Sequence, residues 1–186
     1  MRRIINSTFV SVDGVIKDPQ DWPSLETGDD SGAVLELLQR CDGVLLGRDT
    51  YRSFAGVWQG RSGDPYTDKM NAAEKYVVST TMDKADWDRT TVIGGDVPAE
   101  IARLKEGPGG DIVQYGFGRL AHTLMAHGLL DEMQLWVHPF FVGKAGGADG
   151  GLLFHEGTRS MLDVVGARTF ESGVVLLTYR PKSAGA

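Results

Sequence analysis

Two segments of this sequence place glycine and arginine directly after an apolar run, which is the make-up of a phosphate-binding turn. The first is Leu45-Leu46-Gly47-Arg48-Asp49-Thr50-Tyr51; the second is Tyr115-Gly116-Phe117-Gly118-Arg119-Leu120-Ala121. In each, glycine would let a phosphate approach the backbone, and the helix that follows would present free N–H groups. Arg48 and Thr50 add a charge and a hydroxyl donor to the first. A tight turn with close packing explains either glycine cluster alone. Two such loops in one sheet favour an anion.

The second loop also fits the G-x-G-x-x-[G/A] pattern of dinucleotide-binding turns. A Rossmann domain would place an acid about 20 residues further on, at the end of the next strand. The residues there are Val137-His138-Pro139-Phe140. Other chemistries have less support. The histidines (His122, His127, His138, His155) show no zinc-ligand spacing, so no metal site is expected. A G-x-S-x-G elbow is missing, which argues against a serine hydrolase. The lone Cys41 excludes an internal disulfide and reads as a small buried hydrophobe. Gly146-Gly147 and Gly150-Gly151 lead into no helix and read as a flexible loop.

These loops need a sheet to hold them. Ile4 to Val12, Gly43 to Leu46, Lys75 to Ser79, Thr91 to Ile93 and Asp111 to Tyr115 are apolar runs bounded by turn residues, the pattern of buried strands. Helices are predicted from Ser31 (as N-cap) to Arg40, near Tyr51 to Phe54, from Pro98 to Lys105, and from Gly118 to about His127. Glu132 to Val142 reads as a long strand. Met161 to Phe170 and Val174 to Tyr179 flank Glu171-Ser172-Gly173 as a hairpin. Alternating strands and helices predict an α/β fold with a mostly parallel central sheet and an antiparallel C-terminal hairpin. One domain is expected over the 186 residues, with a core from about 3 to 180 and a disordered tail over 181–186.

A net charge of −6 argues against a broad nucleic-acid surface. No apolar stretch is long enough for a membrane span, and the N-terminus lacks a signal-peptide core, so a cytoplasmic protein is expected.

The ordered set of motifs resembles the dihydrofolate reductase superfamily, and most closely the C-terminal reductase domain of the bifunctional riboflavin-biosynthesis deaminase–reductase, in its small stand-alone form. The residues that carry it are Ser11-Val12-Asp13-Gly14, the Gly47 and Gly116 loops, Tyr76-Val77-Val78-Ser79-Thr80-Thr81, and Pro139-Phe140-Phe141-Val142-Gly143 with Leu153-Phe154. The resemblance implies an NADPH-dependent oxidoreductase acting on a small molecule, forming a homodimer. By it, Gly47, Arg48 and Thr50 would hold the pyrophosphate from one side. Tyr115, Gly116, Phe117, Gly118, Arg119 and Leu120 would hold it from the other. Ser79, Thr80 and Thr81 would meet the 2′-phosphate, and the loop from Asp13 and Gly14 to Pro23 would cover the nicotinamide. On the substrate side it implies Trp22 and one of Asp29 and Asp30 as catalytic groups; the acids equally suit a helix N-terminus electrostatically. Arg52, Arg61 and Lys69 are the cations that could grip a ribose phosphate. The zinc deaminase motif H-x-E…P-C-x-x-C is missing.

Overall fold

The computed structural model describes residues 1–23, 28–143, 151–153 and 159–182. In chain order the elements are β1 (Ile4–Ser11), α1 (Gly28–Arg40), β2 (Cys41–Gly47), α2 (Arg48–Trp58), α3 (Pro65–Ala72), β3 (Glu74–Val78) and β4 (Thr90–Ile93). There follow α4 (Val97–Glu106), β5 (Asp111–Tyr115), α5 (Arg119–Ala126), β6 (Glu132–His138), β7 (Leu162–Thr169) and β8 (Val175–Pro181). The strands form one eight-stranded sheet in the order β4-β3-β2-β5-β1-β6-β8-β7. β4 through β6 in that order run parallel, and β8 and β7 complete the sheet antiparallel.

Neighbouring residues of the central strands bury into opposite layers, as a parallel sheet covered on both faces requires. Ile5, Leu46 and Val113 pack with Leu37, Leu38, Tyr51 and Met70 on the α1–α2–α3 side. Ile4, Leu45 and Ile112 pack with Ile101, Ala121 and Leu124 on the α4–α5 side. Cys41 begins β2, buried, and desolvation pushes its thiol up to about 12, in keeping with a packing role.

Several boundaries differ from the sequence expectation. The first helix starts at Gly28, so Ser31 lies inside its first turn, where its N–H meets Asp30 Oδ1 at 3.0 Å. α3 was not predicted. Its sequence signal is Asp64-Pro65: the Asp64 carboxylate accepts the N–H groups of Tyr66 and Thr67 at 3.1 and 3.0 Å, and proline fits the first helical position. At the other end, buried Lys75 donates to the carbonyls of Met70, Asn71 and Ala73. β6 stops at His138 because Pro139 has no N–H to extend the ladder. The hairpin closes through Phe170 N–H to Val174 O at 2.9 Å, with Gly173 at φ +84°. Pro181 continues β8 and Lys182 N–H bonds Met161 O, so the ladder runs past the expected start of the tail; 183–186 lie outside the described residues.

Candidate active site

In a parallel sheet every strand delivers its carboxyl end to one edge. Here that edge gathers Gly47, Val78, Tyr115, Ser11 and His138, the ends of β2, β3, β5, β1 and β6. β2 and β5 are adjacent, so the two glycine loops lie side by side. They touch at one point: a Cβ on Gly116 would sit 3.1 Å from Thr50 Oγ1. Gly116 has φ +79°, so the backbone itself calls for glycine.

Gly47 and Gly118 are different. Each is the N-cap of a helix, α2 and α5, in extended conformation (φ −75° and −109°) and without a side-chain cap. Among the described residues, and apart from its immediate chain, neither has any atom within 4 Å of where a Cβ would stand. Nothing local to the fold requires glycine at either place. Two bare helix N-termini therefore point their free N–H groups at open space beside each other.

A buried polar network supports the second loop. Gly116 O accepts from Asn6 Nδ2 at 2.9 Å and Gln114 Nε2 at 2.7 Å, Asn6 Nδ2 also reaches Gln114 Oε1 at 2.7 Å, and Thr8 Oγ1 donates to Asn6 Oδ1 at 3.0 Å. The sequence reading missed these residues. Their signal was polar side chains inside otherwise apolar strands, Ile4-Ile5-Asn6-Ser7-Thr8 and Ile112-Val113-Gln114-Tyr115.

The remaining expected cofactor residues are sorted by burial. Thr80, Thr81 and Arg119 are exposed, and Leu120 is half-buried against the core. Phe117 and Tyr115 are buried, Phe117 in the core and Tyr115 beneath Phe54 with its hydroxyl 3.1 Å from that of Tyr66. Desolvation pushes the Tyr66 phenol up to about 12 and Tyr115 well above its usual value. Ser79 is likewise buried, its Oγ accepting the N–H groups of Thr81 and Met82 at 3.2 and 3.1 Å. Arg48, bonded to Asp49 at 3.0 Å, reaches across from the neighbouring loop to Thr81 Oγ1 at 2.9 Å. It supplies the cation that the Ser79-Thr80-Thr81 turn lacks.

Asp13 is a staple. Its carboxylate accepts the Ser11 hydroxyl and the N–H groups of Val142 and Gly143 (3.2 and 2.9 Å), and the Ser11 bond, followed by that from Gly143, holds its pKa below the usual range. Gly14 O accepts Leu153 N–H at 2.8 Å and Ile16 N–H reaches Gly151 O at 2.6 Å. The base of the loop over the site is thus tied to the chain that follows β6.

The second half of the site lies across β1. β1 pairs with β5 only as far as Ser7 but with β6 as far as Ser11, so the edge opens on the β5 side beyond Ser7. Trp22 stands edge-on to His138 and Phe140, centroids 5.4 and 5.3 Å away. Asp29 and Asp30 begin α1. Asp29 Oδ2 accepts Glu171 N–H at 3.4 Å from the β7–β8 hairpin. Asp30 precedes Ala33 and Val34, which pack on Trp136, by one turn on the same stripe. Burial lowers the pKa of His138 and the nearby Asp30 charge opposes that, leaving the imidazole neutral at pH 7. Among the candidate cations, Arg52 lies exposed one turn into α2 and Arg61 beyond its far end. Lys69 sits at the opposite edge of the sheet, beside Arg2, Asp42 and Glu74, and cannot serve this site.

The sequence model of the RibD C-terminal domain family matches residues 2–176. The chain belongs to the RibD C-terminal domain family. It is 33% identical over 187 residues to the uncharacterized protein YyaP of Bacillus subtilis, covering 96% of this chain and 94% of that one. Among solved structures it superposes on a protein from Shewanella sp. PV-4 assigned to riboflavin biosynthesis (TM-score 0.72, 23% identity, 98% and 99% of the two chains). It also superposes on the diaminohydroxyphosphoribosylaminopyrimidine deaminase/5-amino-6-(5-phosphoribosylamino)uracil reductase of Thermotoga maritima (TM-score 0.66, 16% identity), covering 97% of this chain and 57% of that one. The two superposed structures share its overall fold. Among the described residues no group of His, Cys, Asp and Glu could hold a metal ion, and no helix is long and apolar enough to cross a membrane.

Proposed function

We propose that the chain is an NADPH-dependent reductase of the RibD C-terminal domain family. The observation that carries this reading is the pair of N-cap glycines, Gly47 and Gly118, on adjacent strands with nothing of the described residues beyond their chain neighbours where their side chains would begin. Two helix N-termini so arranged suit the paired phosphates of a dinucleotide. When bound, NADPH supplies a hydride to a C=N or C=O carbon of a flat heterocycle or a sugar-derived imine. The protein's own share is to hold both partners in register, with Asp30 or Asp29 orienting or protonating the substrate and Trp22 helping to close the pocket. The first candidate substrate is 5-amino-6-(5-phosphoribosylamino)uracil, with Arg52 and Arg61 as the candidate cations for its phosphate; a dihydrofolate-type pterin is second. A nucleotide-binding protein without turnover is the alternative from another class. Work inside the cytoplasm is part of the proposal.

NADPH is expected to raise the melting temperature. At 100 times the dissociation constant, linkage adds about 2.7 kcal/mol to stability. No shift with millimolar NADPH or NADH, in protein shown to be folded, would remove the cofactor assignment. Turnover against pyrimidine and pterin panels then separates an enzyme from a sensor.

Arg48→Met tests the discrimination between the two nicotinamide cofactors. Removing the cation that leans on Thr81 is expected to weaken NADPH binding by about tenfold or more, the range of a lost charge-assisted phosphate contact, and to leave NADH binding nearly unchanged. Equal losses for both cofactors would place Arg48 on the pyrophosphate instead.

A homodimer is also proposed, through the C-terminal strands. Leu135 and Trp136 are buried within the protein and offer no contact. Exposed apolar residues cluster on and beside the edge strand β7, Val164 at 71%, Val165 at 50% and Met161 at 69%, while Phe141 beyond β6 is exposed at 72%. An uncovered edge of this kind is a template for pairing with a second copy. A dimer mass by light scattering, reduced to the monomer by Val164→Lys, is the expected result. A monomer at micromolar concentration in the parent protein refutes it.

A further inference from the structure

His138 is the last residue of β6 and stands at the carboxyl edge, across β1 from the glycine loops. Its ring is boxed by three aromatic side chains, Phe9 (centroids 4.8 Å apart), Trp22 (5.4 Å) and Phe140 (6.1 Å). Both ring nitrogens are shielded from solvent, and neither has a hydrogen-bond partner among the described residues. A neutral imidazole carries one N–H and one lone pair, and leaving both unmade in a shielded place costs stability. A histidine that served only to fill this aromatic box would do so better as phenylalanine. Facing it, Asp30 is a carboxylate on the stripe of α1 that otherwise carries Ala33 and Val34.

We infer that His138 is a substrate-binding residue: its imidazole N–H donates to a ring carbonyl of a planar ligand whose adjacent ring N–H is taken by Asp30. The pair reads a lactam or ureide edge, one acceptor next to one donor, while Trp22 and Phe9 pack on the flat remainder. The sugar or chain carried by such a ring is not read here. This deepens the reductase reading and rests on it for the substrate's place in the site.

The test uses two probes, 6-aminouracil, which carries the edge, and 1,3-dimethyl-6-aminouracil, whose ring N–H groups are blocked. In ¹⁵N-histidine-labelled full-length protein, the His138 ring signals are assigned by their loss in His138→Gln. 6-Aminouracil is expected to shift them, and the dimethyl compound to bind at least about tenfold more weakly, the cost of one hydrogen bond to a charged group. His138→Phe, which keeps the aromatic packing, is expected to lose 6-aminouracil binding, and His138→Gln, which keeps a donor, to retain part of it. NADPH binding, followed separately by nicotinamide fluorescence, should be the same in all three proteins. Unmoved His138 signals with both probes, equal binding of the two, or unaltered binding by a folded His138→Phe would each overturn the inference. Failure of the parent protein to bind NADPH would instead overturn the cofactor reading, and the probe titrations, run without NADPH, still decide the role of His138.

Discussion

Gly118→Val is expected to cost NADPH affinity tenfold or more while the unliganded protein stays folded. The backbone of Gly118 is extended, and among the described residues beyond its own chain neighbours no atom lies within 4 Å of a Cβ there, so the new Cβ meets no crowding. Exchanging one N-cap residue without a capping hydroxyl for another costs the helix about 1 kcal/mol at most. A phosphate seated on the α5 N-terminus would be displaced by the valine methyls, and tenfold corresponds to about 1.4 kcal/mol. Gly47→Val should behave alike at the N-terminus of α2. Gly116→Val is the less clean variant, since φ +79° strains any β-branched residue and Thr50 stands close by. Fluorescence titration with NADPH, beside circular dichroism of the same samples, gives the answer. Full affinity in folded Gly47→Val and Gly118→Val would place the cofactor elsewhere.

Turnover should fall about a hundredfold or more in Asp30→Asn, with NADPH affinity unchanged, because asparagine keeps the shape of the acid but cannot pass a proton. Asp30 is preferred over Asp29 for its position. It lies on the α1 stripe whose Ala33 and Val34 pack on Trp136, near enough for its charge to act on His138, whereas Asp29 turns one oxygen to the Glu171 N–H of the hairpin. Asp29→Asn keeps that acceptor and loses only the favourable charge at the start of α1, about 0.3–1 kcal/mol of stability. Steady-state kinetics on a substrate found by the panel decide between them. A large loss in Asp29→Asn with none in Asp30→Asn would exchange the roles. Full turnover in both would leave water beside Trp22 as the proton source.

Much of this architecture was legible in the sequence. Apolar runs cut by glycine, and a proline near a helix start such as Pro98, are local signals, and they marked the strands, most of the helices and the mostly parallel sheet. The two glycine loops were visible for the same reason: a turn between a strand and a helix is written in adjacent residues. Partnership was not legible, because it depends on strand order and on which face a residue takes. Only the placement of β5 and β3 on either side of β2 sets Gly118 next to Gly47 and lets Arg48 lean on Thr81. The bonds from the chain after β6 to the Asp13 carboxylate could not be read from spacing, and Lys69 looked available until α3 carried it to the far edge. Tyr115 and Phe117 flank Gly116 in sequence, yet each turns its ring into the protein, one into each layer. His138 drew no attention among scattered histidines; the closing of Trp22, Phe9 and Phe140 around it made its two unmade hydrogen bonds visible. Local spacing determines which backbone is built, but a polar atom's partners come from segments distant in sequence, and those meet only when the sheet is assembled.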